Sequence, residues 1–203
     1  MPSSKYLMSF TTGGLFYQES INLTNLYLDK RNWPEVKEAA LSDNLLQART
    51  QSTAQRILRE ITARLILLTN DQLQLLVDGT HAEQNHLLWL GVCKRYSFIQ
   101  DFAVEVLREK FLCLEIMVTH DDYDFFYNKK AQWHEELETL SPTTRIKNRS
   151  VLFRMLLEAE LLASGNLILP ALFTKELVAV IAADNASLFA CYPISDRDIK
   201  ELL

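Results

Sequence analysis

The sequence predicts a mainly α protein: a helical bundle closed by a small winged-helix-like C-terminal part with two short strands. Three observations predict it. Glycine is scarce, 5 in 203 residues, too few for an all-β design that needs turn residues about every 8–12 positions. Apolar residues recur at three- and four-residue spacing, as in Ile57, Ile61, Leu65 and Leu68, or Phe98, Phe102, Val106 and Leu107. Side-chain acceptors followed three residues later by Glu, Gln or Asp mark helix starts, because that arrangement satisfies orphan amide donors.

Taken in order, the periodic segments place helices at 17–29, 33–42, 52–68, 70–78, 81–95, 98–115, 120–138, 142–163, 175–183 and 196–202. The starts read as caps are Ser52/Gln55, Thr80/Glu83, Ser97/Gln100, Thr119/Asp122 and Ser195/Asp198. Ser141 precedes Pro142, which suits a first helical position because its missing N–H costs nothing there. Asn70 and Thr174 are further caps. Past Gly165 the texture changes: Leu167–Leu169 and Leu188–Tyr192 are short, apolar and bounded by Asn, Pro or Gly, so they read as strands around a short helix. The break at Thr139-Leu140-Ser141-Pro142 divides the chain into an N-terminal helical domain, 1–139, and a C-terminal winged-helix-like domain, 140–203.

Composition excludes several classes of function. Apolar types make up 48% and charged types 23%, an ordinary globular balance. Cys93, Cys113 and Cys191 have no close pair, which excludes a zinc knuckle or a redox CxxC and suggests reduced thiols in a cytoplasmic protein. The longest uncharged stretch, Leu161–Thr174, has 14 residues and holds Gly165, Asn166 and Pro170. It falls short of the ~20 apolar residues that cross a bilayer. His81 and His86 are five apart, and His134-Glu135-Glu136 lacks the second histidine of a zinc-protease helix. Asp121, Asp122 and Asp124 lack the glycine and distal glutamate of a calcium loop. Thr12-Gly13-Gly14 lacks the lysine of a phosphate loop and reads as a flexible turn. The expectation is a non-enzyme with no metal, no cofactor and no small-molecule substrate.

Charge is uneven beneath a formal total of −5. Residues 101–140 hold 10 acids against 4 bases. Two stretches have cations and no acid: Asn44–Arg59, with Arg49, Arg56 and Arg59, and Ser141–Leu157, with Arg145, Lys147, Arg149 and Arg154. On a helix from Ser52, Ile57, Leu58, Ile61 and Leu65 fall in one sector while Ser52, Arg56, Arg59 and Arg64 lie across from it. Such a face with hydroxyls at its positive end suits phosphates; the alternative is an ordinary solvated face with surface ion pairs. Arg145 and Arg149 share one side of the second basic helix, Lys147 and Arg154 another. That split also fits a central helix whose cations pair with the acidic block. Tyr123, Phe125, Phe126, Tyr127 and Trp133 make an aromatic helix suited to a core or a partner interface.

A longer pattern runs through these features. Thr12-Gly13-Gly14-Leu15, Glu19-Ser20, Asp43-Asn44-Leu45-Leu46-Gln47-Ala48-Arg49, Ser52-Thr53-Ala54, Arg56 and Arg64-Leu65 are followed by Lys94-Arg95-Tyr96, Asp101-Phe102, Val106-Leu107-Arg108-Glu109 and Leu156–Leu162. In order and spacing this resembles the BrxA family of bacteriophage exclusion (BREX) defence clusters. The resemblance implies a helical fold like the NusB-type antitermination proteins. It also implies a non-enzymatic accessory that works beside a methyltransferase and ATPases and binds nucleic acid, duplex DNA with little sequence preference. The matching positions for binding are Arg49, Ser52, Thr53, Arg56 and Arg64. Helix geometry adds Arg59, and the second basic stretch adds Arg145, Lys147 and Arg149. The alternative is a protein–protein adaptor that docks other BREX subunits through the aromatic helix and the tail.

Overall fold

Helix α5 (His81–Arg95) is the pole of the structure, with every residue from Glu83 to Cys93 buried. A helix without a solvated stripe belongs at the centre of a bundle. The computed structural model describes residues 5–10 and 13–202, so Thr12 of the Gly13-Gly14 turn lies outside the described residues. Helices α1 (Tyr17–Lys30), α3 (Gln51–Leu65), α4 (Asn70–Asp78) and α10 (Pro142–Glu158) pack on α5, and α2 (Trp33–Ser42) packs on α1 and α3. After α5 the chain continues through α6 (Ser97–Phe102), a π-helical turn (Ala103–Arg108) and α7 (Glu109–Leu112), then α8 (His120–Ala131) and α9 (Glu135–Glu138). Strands β1 (Leu162–Ala163) and β2 (Leu167–Ile168) follow α10, and α11 (Lys175–Asn185), a 3-10 helix (Ala186–Cys191) and α12 (Asp196–Leu202) end the fold.

The fold is mainly α with one small two-stranded sheet, in which Leu162 faces Ile168 and Ala163 faces Leu167. The second expected strand is elsewhere: the Leu188–Tyr192 run begins inside the 3-10 helix. The Trp89 indole donates to the Cys191 carbonyl at 3.0 Å and the Tyr192 hydroxyl to the His86 carbonyl at 2.7 Å, so this run is fastened to α5 rather than to a ladder. The expected 120–138 helix breaks between α8 and α9. The capping boxes at Thr80/Glu83 and Thr119/Asp122 are present, and Ser141, Thr174 and Ser195 cap as read. Thr50 caps in place of Ser52, Thr69 in place of Asn70, and the helix at Ser97 has no side-chain cap. One buried apolar cluster runs from Tyr6 to Ile199 and draws on both sides of the Thr139–Pro142 break.

A polar junction fixes the N-terminal segment to this bundle. Arg64, near the end of α3, is only 4% exposed. Its Nε donates to Glu60 Oε1 at 2.9 Å, and its Nη1 donates to the Gly14 carbonyl at 2.8 Å. The Tyr96 hydroxyl donates to the same Glu60 oxygen. The rings of Phe16 and Tyr96 flank the guanidinium at 5.6 and 6.0 Å. One residue on, the Leu15 amide donates to Glu158 Oε2 at 2.5 Å, and a Cβ at Gly14 would lie 2.0 Å from that oxygen. Gly13 adopts φ +76°, a left-handed conformation that glycine takes freely.

Removing one partner of a buried charge pair strands the other. Arg64→Ala is expected to destabilise the chain by about 3 kcal/mol, read from the urea midpoint, while Arg56→Ala and Arg59→Ala stay within about 0.5 kcal/mol. A second expectation concerns pH. Burial pushes the His86 pKa down to about 4, against the opposing pull of Glu83. The unfolded chain takes up a proton near pH 6.5, so stability falls as pH drops from about 6.5 to about 4, by an amount of order 3 kcal/mol, and this contribution levels off below. Melting curves of the chain and of His86→Gln across that window check it: the variant should have the flatter profile.

Candidate nucleic-acid interface

The N-terminal half of α3 carries the strongest candidate site. Thr50 is extended (φ −134°, ψ 148°), and its hydroxyl oxygen accepts the Thr53 amide at 3.2 Å. That hydroxyl also donates to Thr53 Oγ1 at 2.9 Å and lies 3.3 Å from Ser52 Oγ, so three hydroxyls crowd the positive end of the helix. Ala54, Leu58, Ile61 and Leu65 turn inward. Ser52, Arg56 and Arg59 fall on the outward side at intervals of four and three, with Arg49 just ahead of the cap. From Ser52 to Arg59 the stripe is roughly 10 Å long.

Arg49, Ser52, Arg56 and Arg59 are exposed and Thr53 is half-buried. Among the described residues Arg49, Arg56 and Arg59 have no ion-pair partner. Glu60, which follows Arg59 in the chain, is turned to Arg64 and Tyr96. The structure therefore gathers five of the expected residues on one end of one helix.

The other four are placed differently. Arg64 belongs to the interior: on a helical wheel it stands between the buried and exposed sectors, and the Gly13–Phe16 segment covers it. Arg145 and Arg149 both bind Asp124, at 3.0 and 2.5 Å. Arg145 also lies over the Tyr127 ring at 4.3 Å and donates to Asn128 Oδ1 at 2.9 Å. These two arginines are held by α8, as the central-helix alternative expects. Lys147 is exposed on α10, a different element from α3 and with no ion pair among the described residues.

The acidic block explains the split. Asp101 and Glu105 hold Lys130 at 2.8 and 2.5 Å, Glu115 and Asp122 hold Lys110 at 2.5 and 3.1 Å, and Asp124 holds the arginine pair. Burial alone would raise the Asp122 carboxyl, but the Thr119 amide and hydroxyl and the Lys110 ammonium hold it below its ordinary range. Thr50 is the capping hydroxyl that sequence reading missed; its signal is a second hydroxyl three residues on, at Thr53. Among the described residues no group of His, Cys, Asp or Glu is arranged to hold a metal ion, and no helix is long and apolar enough to cross a membrane.

Comparisons with known proteins bear on this site. A solved structure, an uncharacterized protein from Magnetospirillum magneticum, superposes with a TM-score of 0.79 over 92% of this chain and 97% of that one; at 18% identity it speaks to the fold. A BREX protein BrxA from Bacillus cereus (strain H3081.97) is 30% identical over 125 residues, 62% of each chain. The match thus spans about three fifths of that relative's length. A BREX protein BrxA from Escherichia coli O9:H4 (strain HS) is 26% identical over 150 residues, 72% of this chain and 69% of the relative. The BrxA family model matches residues 4–185, which carry the α3 stripe and the junction beneath it, and the chain belongs to the BrxA family.

Proposed function

We propose that this chain is a non-enzymatic component of BREX phage defence that binds duplex DNA through its phosphates. The observation that carries the reading is the end of α3: three exposed arginines without acidic partners among the described residues, beside a cluster of hydroxyls at a positive helix end. Arginine forks and hydroxyls of this kind suit phosphate oxygens, and backbone contacts carry no sequence information. Little sequence preference follows from that chemistry.

Three arginines neutralising three phosphates give log affinity a slope of about −3 against log salt on duplex DNA. Arg56→Glu together with Arg59→Glu should abolish binding in a fluorescence titration and leave the melting temperature in place, since both side chains are exposed. Full affinity in the double variant would refute the assignment of this face.

A second reading, an adaptor for other BREX subunits, is favoured by α8 and the turn after it. Tyr123, Phe126 and Tyr127 are buried, but Phe125 is 75% and Trp133 82% exposed. Exposed large aromatics are the usual anchors of protein interfaces. Co-purification with BREX partners after nuclease treatment, lost in Phe125→Ala with Trp133→Ala, is the expected outcome; capture that persists in the double variant would sink it.

A further inference from the structure

We propose that two copies of this chain pair about a two-fold axis, each inserting Leu114 into an apolar cavity of the other. The helical run that closes with α7 ends in a Schellman turn: the Leu114 amide donates to the Phe111 carbonyl at 3.1 Å, and the Glu115 amide donates to the Lys110 carbonyl at 2.9 Å. Such a turn puts the residue after the cap in the left-handed region, where glycine is at home, yet that residue is a leucine at φ +60°. The other non-glycine residues at such angles, among those described, are Phe16, Arg31, Asn44, Gln47, Glu160 and Asn166, so Leu114 is the one aliphatic. It is also the most exposed large apolar side chain among the described residues, at 87%. A conformational cost is borne here to hold an apolar group in water, and folding alone does not reward that.

The knob is firmly mounted. Lys110 Nζ binds Glu115 at 2.5 Å and Asp122 at 3.1 Å, which ties the turn to α8. Beyond the turn the Ile168 amide donates to the Ile116 carbonyl at 2.9 Å, the Val118 amide donates to the Asn166 carbonyl at 3.0 Å, and Met117 stands opposite Leu167. The chain at 116–118 is therefore laid along β2. An apolar group held in place before contact loses little freedom when it docks.

A hole lies beside the knob. Phe111, whose carbonyl accepts the Leu114 amide, lines a cavity of about 390 Å³ together with Pro170, Leu172, Phe173, Ile194 and Leu202. Asp198 and Glu201 also line it, but their carboxylates already accept from Ser195 and Arg197, at 2.7 and 2.8 Å, which leaves the space to an apolar occupant. Leu114, at its exposure, is not that occupant in its own chain. A knob next to a hole is self-complementary: a two-fold rotation brings each knob to the other hole, and the contact closes as a dimer instead of growing into a fibre. Leu112, Leu114, Ile116, Met117, Leu167 and Leu172 are all exposed in this region and together present on the order of 500 Å² per copy, so the pair hides on the order of 1,000 Å², the size at which specific interfaces begin.

Analytical ultracentrifugation of the full chain should show one copy giving way to two over roughly 1–100 μM, the range in which an interface of this modest size dissociates. Leu114→Gly removes the knob and relaxes the turn. It should weaken association by about tenfold or more, as loss of a central anchor does, while the melting temperature of the dilute chain holds or rises. Leu172→Glu, at a rim position that is 78% exposed, should also weaken it by setting a third carboxylate at the mouth beside Asp198 and Glu201. Mixed in equal amounts, the two variants should recover part of the association, because the knob of one and the hole of the other are intact. A chain that stays single throughout the range, undiminished association in Leu114→Gly, or no recovery in the mixture overturns the proposal and leaves the patch to a different protein.

Discussion

The buried pairing of Arg64 with Glu60 decides what the rest of α3 can do. A guanidinium at 4% exposure must find compensation inside the protein, because a desolvated charge without partners is not tolerated. Glu60, one turn earlier, supplies the charge; the Gly14 carbonyl supplies an acceptor, and the Tyr96 hydroxyl donates to the same Glu60 oxygen. The same segment lies against the Glu158 carboxylate, which a Cβ at position 14 would push aside from the Leu15 amide. The same contacts draw Glu60 away from Arg56 and Arg59. Burying one arginine therefore leaves two others cationic and unopposed.

Much of this fold was legible because helices are local objects. Apolar period and cap chemistry lie within a few residues of each boundary, and the limits read for α2, α4, α5 and α12 coincide with those observed. The caps that slipped did so where neighbouring side chains compete: Thr50, Ser52 and Thr53 offer three hydroxyls, and Thr69 stands beside Asn70. The misread strand at Leu188–Tyr192 is apolar throughout, and a short run buried on every side has no period to separate strand from 3-10 helix. Arg64 shows the limit for sites. Its wheel angle falls at the edge of the apolar sector beside Ile57, but what covers it comes from fifty residues earlier in the chain. Arg145 and Arg149 were open to either fate in the sequence, and the choice rested on where Asp124 would stand.

Net charge says little about the end of α3 for a related reason. Much of the acidic block is committed to particular partners: Asp101, Glu105, Glu115, Asp122 and Asp124 all face cations from their own or adjoining helices. These half-buried pairs neutralise one another at short range. What an approaching polyanion meets beyond about 10 Å is screened, so the local sum at the end of α3 matters more than the −5 of the whole chain.

A stripe of three arginines is small for a DNA-binding surface, and its size has a consequence for the proposed role. Contacts with phosphates alone give dissociation constants of roughly 10⁻⁴–10⁻⁶ M at physiological salt. A chain held to its partners through Phe125 and Trp133 would meet DNA at an effective concentration set by the tether rather than by bulk solution. The two proposed contacts then reinforce each other. Under this proposal, weak, sequence-blind attachment at α3 would suffice once the assembly supplies proximity.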